Sequence, residues 1–244
     1  MIRKGFHNVG SEDAGGWFIV DEIPEALRLE MDEAVNMLLY DMYANEPFSD
    51  WNTTFINKQF KYQYSEEFIE YTINLIKEHE DNIRKYHATN IKHFDFNNLV
   101  TTSDKNNEWY TGPNGGWVTM QDRFEFCHPH TGNNLFNFMY YGRVPYLRTN
   151  TKLTSPNTQT DSSILGSDYI LAPNNVGKIS NSANQKSPPN RLEVISLENT
   201  SLSNGHILIL PHYLYRGSNP FYCTEEYKIT YKGELGEPKP NTFL

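Results

Sequence analysis

Past residue 91 the chain falls into short strand-length runs: GGWVTM (115–120), LFNFMYY (135–141), DYILA (168–172), LEVISL (192–197), GHILIL (205–210) and YKITY (227–231). Each is rich in β-branched and aromatic residues and sits between stretches of Gly, Asn, Pro or Ser, the pattern of strands separated by turns. Strands this short bury little alone. Many of them in one half of a chain imply a sandwich or a barrel.

The first 90 residues read differently. Residues 21–43, DEIPEALRLEMDEAVNMLLYDMY, place Leu27, Met31, Ala34, Val35, Leu38 and Met42 on one helical stripe, with Pro24 suited to a first turn. Residues 65–86 predict a second helix. Ser65 caps it, Glu66 and Glu67 meet the positive end of its dipole, and Phe68, Ile69, Thr72, Ile73, Ile76 and Ile83 form its buried face. The expected organisation is one structural domain: a segment 1–90 carrying two helices, packed on a β core at 91–244.

A chain of 244 residues is long enough for a sizeable core, and 14% aromatic with 21% charged residues is a globular composition. A net charge of −9, with no basic run, argues against a nucleic-acid groove as the main surface. Two cysteines, Cys127 and Cys223, are too few for a disulfide scaffold. There is no apolar stretch of signal-peptide or membrane-spanning type, so neither membrane nor secretion is expected.

Within FEFCHPHTGNNLFNFMYY (124–141), His128 and His130 flank Pro129. The pair either holds a metal with a third ligand from elsewhere or simply occupies a turn. Cys127 beside His128 is a poor nucleophile–base pair, because adjacent strand residues point apart. A zinc cluster of Asp122, Glu125, His128 and His130 has no supporting ligand spacing. GPNGG (112–116) has no phosphate-loop lysine and reads as a turn. His79, His87 and His93 read as surface or capping residues.

HPHTGNNLFNFMYYGRVP (128–145) and NGHILILPHYLYRGSNP (204–220), followed by EYKITY (226–231), resemble the 2-oxoglutarate and Fe(II)-dependent dioxygenases, in particular the prolyl-hydroxylase-like group common in phages and marine viruses. The resemblance spans roughly 117–232. It implies an α+β, mainly β fold: a double-stranded β-helix, or jelly-roll-like barrel, with N-terminal helices. It also implies a facial set of three metal ligands, two of them from a His-x-His or His-x-Asp turn. His128 and His130 match those two. Tyr140 or Tyr141 matches the family's tyrosine, and Lys228 matches the cation that holds the far carboxylate of 2-oxoglutarate.

The third ligand departs from the pattern. Family spacing from Pro211 puts a histidine at 216, where this chain has Arg216, a side chain that stays protonated and repels a dication. His212 stands four residues earlier, about 13 Å away along an extended strand, and reaches the site only if the chain bulges. A decayed site would have His128 and His130 facing the interior, with Arg216 projecting towards them and accepted by Glu125, a carbonyl or a neutral imidazole.

Two functions follow from the resemblance. In the first, the chain is a structural subunit of a phage or viral particle whose metal site has decayed. It has no cofactor, its partners are other protein subunits, and it resides in the host cytoplasm or the virion. The polar interval 149–191 would then be held by neighbouring chains, since it buries too little apolar surface to order itself. In the second, the chain is an active dioxygenase holding Fe(II) through His128, His130 and His212, with 2-oxoglutarate on Lys228.

Overall fold

The computed structural model describes residues 4–9, 16–41, 55–56, 58–87, 91, 93–101, 114–122, 125–132, 134–144, 168–174, 191–197, 204–218 and 226–237. In chain order the elements are β1 (Gly5–Asn8), β2 (Trp17–Glu22), α1 (Glu25–Asp41), β3 (Phe55–Ile56), β4 (Lys58–Gln63), α2 (Glu66–Glu78) and α3 (Glu80–Tyr86). A 3-10 turn (Phe96–Asn98) leads to β5 (Val100–Thr101), β6 (Gly115–Gln121), β7 (Phe126–His130) and β8 (Phe136–Arg143). The chain closes with β9 (Asp168–Asn174), β10 (Arg191–Leu197), β11 (His206–Pro211), β12 (Tyr215–Ser218) and β13 (Lys228–Gly236). This is a β-rich α+β fold.

All six runs picked out by composition are strands. They divide between two antiparallel sheets. The larger runs β1-β2-β11-β8-β13-β6-β4, with β5 beside the end of β13; the smaller runs β10-β9-β12-β7-β3. LFNFMYY, GHILIL and YKITY are consecutive neighbours in the larger sheet, through the pairs Leu208↔Met139 and Tyr231↔Tyr140.

The first 90 residues hold more than helices. β1, β2 and β4 belong to the larger sheet, and β2 pairs with β11 through Leu208↔Val20. The reading of residues 1–90 as a segment carrying two helices did not include these strands. WFIVDE is short and lies next to a helical signal, so its partner, nearly two hundred residues away, is invisible to local periodicity.

Ser65 caps α2 as expected, its Oγ accepting from the Phe68 amide at 3.2 Å. The helix expected to reach residue 86 breaks at His79, which ends α2 and precedes α3. Phe68, Ile69, Thr72, Ile76 and Ile83 are buried, joined by Leu75, while Ile73 is only half-buried. On α1, Met31 and Val35 are buried and Leu27, Ala34 and Leu38 pack beside them; Met42 lies outside the described residues.

Strand alternation gives the larger sheet two unlike faces. One face, with Trp17, Ile19, Phe138, Tyr140, Ile209 and Tyr231, packs under the helices in one apolar cluster. Phe68 lies against Phe138 and meets Tyr140 edge-on at 5.8 Å. Each such fully buried side chain contributes roughly 1.5–3 kcal/mol. The other face turns towards the smaller sheet. It is apolar only along β2, β11 and part of β8, where Phe18, Val20, Met139, Leu208 and Leu210 pack with Ile170 of β9. Towards β13 and β6 the same face becomes polar.

Candidate functional site: a cationic pocket between the sheets

Lys228, Thr230 and Lys232 alternate along β13 with Ile229 and Tyr231, which belong to the helical core. All three therefore project from the opposite face, into a partly open pocket. Thr119 and Gln121 of β6 and Met139 of β8 line it from the same sheet. Cys127 and His130 of β7, Asp168 of β9, and Arg216 and Ser218 of β12 complete it from the other. Its volume is small, about 20 Å³. A sandwich ordinarily fills this region with apolar side chains; here it holds three cations and, among the described residues, one carboxylate.

Asp168 is the electrostatic hub. Lys228 Nζ donates to its Oδ1 at 2.5 Å and the Tyr141 hydroxyl donates to its Oδ2 at 2.6 Å. Burial, followed by the Asp168 charge, pushes the Tyr141 phenol well above its ordinary value, so it remains a donor. The pair is buried on both sides, and its desolvation cost is offset only because both carboxylate oxygens are bonded. Lys228, assigned by the resemblance to a cosubstrate, is thus engaged with a residue of its own chain.

Arg216 is 3% exposed. Its Nη2 donates to Asn137 Oδ1 at 3.1 Å, while Nε and Nη1 have no acceptor among the described residues. Asn137 Nδ2 is likewise buried and without an acceptor among the described residues. Burial lowers the affinity of the guanidinium for its proton, and Glu234 chiefly opposes that effect; an arginine nevertheless stays charged. The acceptor is Asn137 and not Glu125, whose carboxylate accepts from the Asp122 amide at 2.6 Å in the turn before β7. Lys232 is also buried, and burial likewise depresses its affinity for a proton. Its carbonyl accepts from the Tyr64 hydroxyl at 2.9 Å, whereas its ammonium group makes no ion pair among the described residues.

A β-bulge decides the histidine pair. Arg216 lies opposite His130 and Ser218 opposite Cys127, so the step from Cys127 to His130 on β7 faces a shorter step on β12. The extra residue resets the alternation. Cys127 and His130 both line the pocket, with Sγ 3.5 Å from Nδ1. His128 turns out into solvent, its ring edge-on to Phe126. Pro129 suits the bulge, because it has no amide to lose from the ladder.

His130 Nδ1 lies 2.9 Å from the His128 carbonyl, which assigns the proton to Nδ1 and leaves Nε2 an acceptor. Burial, then Arg216 and Lys232, lower its pKa to about 3. The ring is neutral at physiological pH. Burial raises the Cys127 thiol, so it is no activated nucleophile.

The other expected residues fall elsewhere. His212 occupies the turn after β11: its amide donates to the Leu135 carbonyl, its carbonyl accepts from Gly132, and its ring stands edge-on to Tyr213. Tyr140 lies under the helices, and its neighbour Tyr141 packs between the sheets, its hydroxyl on Asp168. Among the described residues no three His, Cys, Asp or Glu side chains converge as metal ligands. An Fe(II) ion fits this arrangement poorly: of the three expected ligands only His130 faces the pocket, and it sits between two cations. Asp168, Lys232 and Asn137 were not singled out from the sequence. The i, i+2 spacing of Lys228, Thr230 and Lys232 was the available signal for one of them.

No protein-family model and no curated protein matches the sequence. Among solved structures, a Pseudomonas putida prolyl-4-hydroxylase overlays with a TM-score of 0.50 at 8% identity, over 91% of this chain and 93% of that one. An IDO from Bacillus thuringiensis overlays at 0.39 with 12% identity, over 91% of both chains. The first likeness is one of fold: a dioxygenase-like arrangement of sheets and helices. The second is too loose to add to it. No helix among the described residues is long and apolar enough to cross a membrane.

Proposed function

We propose that this chain has the double-stranded β-helix of the 2-oxoglutarate dioxygenases but works without iron, as a binding or assembly subunit. The observation that carries the reading is Arg216, buried opposite His130 where the resemblance expects a metal ligand, while His128 and His212 point elsewhere. A permanent cation at that position replaces the charge a metal would bring.

The test is anaerobic calorimetry with Fe(II) or Mn(II), paired with an assay for succinate from 2-oxoglutarate. The reading expects no stoichiometric metal binding and no succinate. Metal binding that disappears in His130→Ala, or turnover in the wild type, would make the chain an oxygenase. A structural subunit of a phage or viral particle is the most specific form of the proposal. It rests on the sequence resemblance and on the polar interval 149–191, of which only 168–174 and 191 are among the described residues. Sedimentation of the purified protein tests it: self-association, or capture by a particle fraction, is expected, and a strictly monomeric protein that joins no particle removes it.

A further inference from the structure

We propose that the inter-sheet pocket is a metal-independent binding site for a carboxylate group, held by Arg216 and Lys232. The inference rests on the iron-free reading above and adds a ligand to it.

Charge is the first ground. Arg216, Lys228 and Lys232 line the pocket, and Asp168, the lining carboxylate among the described residues, is bonded on both oxygens to Lys228 and Tyr141. Glu234 lies nearby, with one carboxylate oxygen accepting from Asn134. Arg216 and Lys232 therefore carry buried charge that no described residue neutralises by direct contact. Isolated buried charge is costly unless something of opposite sign meets it.

Donor geometry is the second. Nε and Nη1 of Arg216, a residue that lines the pocket, are buried donors without acceptors among the described residues. Donors and a charge without acceptors, built into rigid strands, describe a site awaiting an acceptor-only group. A planar guanidinium pairs its donors with carboxylate and phosphate alike, here through the second Nη2 hydrogen together with Nε or Nη1, so the choice of carboxylate rests on size. Neutral His130, whose Nδ1 proton is directed to the His128 carbonyl, adds no competing cation.

Size is the third. A space of about 20 Å³ admits a group little larger than a water. A carboxylate head fits, with any remainder directed out of the open side. The site differs from one built on Lys228, which Asp168 occupies.

The experiment uses the full-length protein in EDTA, titrated with formate and acetate, followed by thermal unfolding and by the NMR linewidth of carbon-13-labelled acetate. Sodium chloride at matched ionic strength and inorganic phosphate are the controls. Saturable binding of formate or acetate is expected, with weaker effects of chloride and phosphate. Affinity should fall at least about tenfold in Arg216→Met and in Lys232→Met, and should persist in Lys228→Met. Circular dichroism establishes that each variant is folded, and either of the first two suffices for the comparison. Failure of both carboxylates to bind, or tighter binding of phosphate, overturns the proposal. If acetate binds only when Fe(II) or Mn(II) is added, the iron-free reading fails too; if neither metal nor carboxylate binds, only the carboxylate site fails.

Discussion

A guanidinium held between two sheets with Nε and Nη1 lacking acceptors among the described residues destabilises the fold. In carboxylate-free buffer, Arg216→Met is expected to stabilise the fold by about 1–4 kcal/mol, the range seen when buried ionic groups give way to apolar ones of similar size. Urea unfolding measures it, and a marked loss would mean that Arg216 already has a partner. Asp168 should behave oppositely. Asp168→Asn takes away the carboxylate that Lys228 and Tyr141 share and is expected to cost about 3–5 kcal/mol. His130 carries a pH signature. Its folded pKa of about 3 lies below the ordinary 6.5, so between those values the unfolded chain binds the additional proton. Its contribution to stability is fully present above about pH 6.5 and is lost as pH falls towards 3, with a slope of up to about 1.4 kcal/mol per pH unit. His130→Asn should flatten that part of the stability curve by the same amount; an unchanged curve would show that the ring protonates freely in the folded state.

Single elements carry their own constraints. β12 approaches β7 closely at Gly217, where a methyl group would meet the Cys127 carbonyl oxygen at 2.7 Å as well as the Tyr169 ring. Gly217→Ala should therefore push β12 away from the bulge and separate Arg216 from His130. The expected result is a loss of stability together with a rise of the His130 pKa, read by NMR titration; a pKa held near 3 would show that the strands absorb the methyl in place. At the start of α2, Ser65 accepts from the Phe68 amide, and Ser65→Ala should cost about 1 kcal/mol without touching the pocket.

At the scale of the molecule, the pairing of β2 with β11 joins chain segments nearly two hundred residues apart. Trp17 and Ile19 belong to the helical cluster and Phe18 and Val20 to the inter-sheet cluster. One strand thus stitches both cores together, and the protein should unfold in one transition, with far-ultraviolet and near-ultraviolet dichroism coincident in urea. Removing residues 1–22 takes out that strand and exposes the edge of β11; the truncated chain should lose cooperative unfolding. Two separated transitions in the intact chain would instead mark the helical layer and the inter-sheet layer as independent units.

The repeating chemistry of the chain was legible without any structure. Six strands followed from β-branched and aromatic runs, and the cap and buried stripe of α2 followed from Ser65 and the spacing of Phe68, Ile76 and Ile83, because these signals are local and periodic. Arg216 also stood out, as a cation where a resembled family expects a ligand. Which way β7 presents its histidines was not. One extra residue opposite β12 reverses the alternation that made His128 and His130 a pair, and a bulge exists only relative to the strand across from it. The same reason hid β2, whose partner β11 lies far along the chain, and Asp168, whose value as the counter-charge of Lys228 depends on two strands from different sheets facing each other. Side-chain type and spacing are properties of a segment, whereas the direction in which a side chain points, and the charge it meets there, are settled by pairing between distant segments.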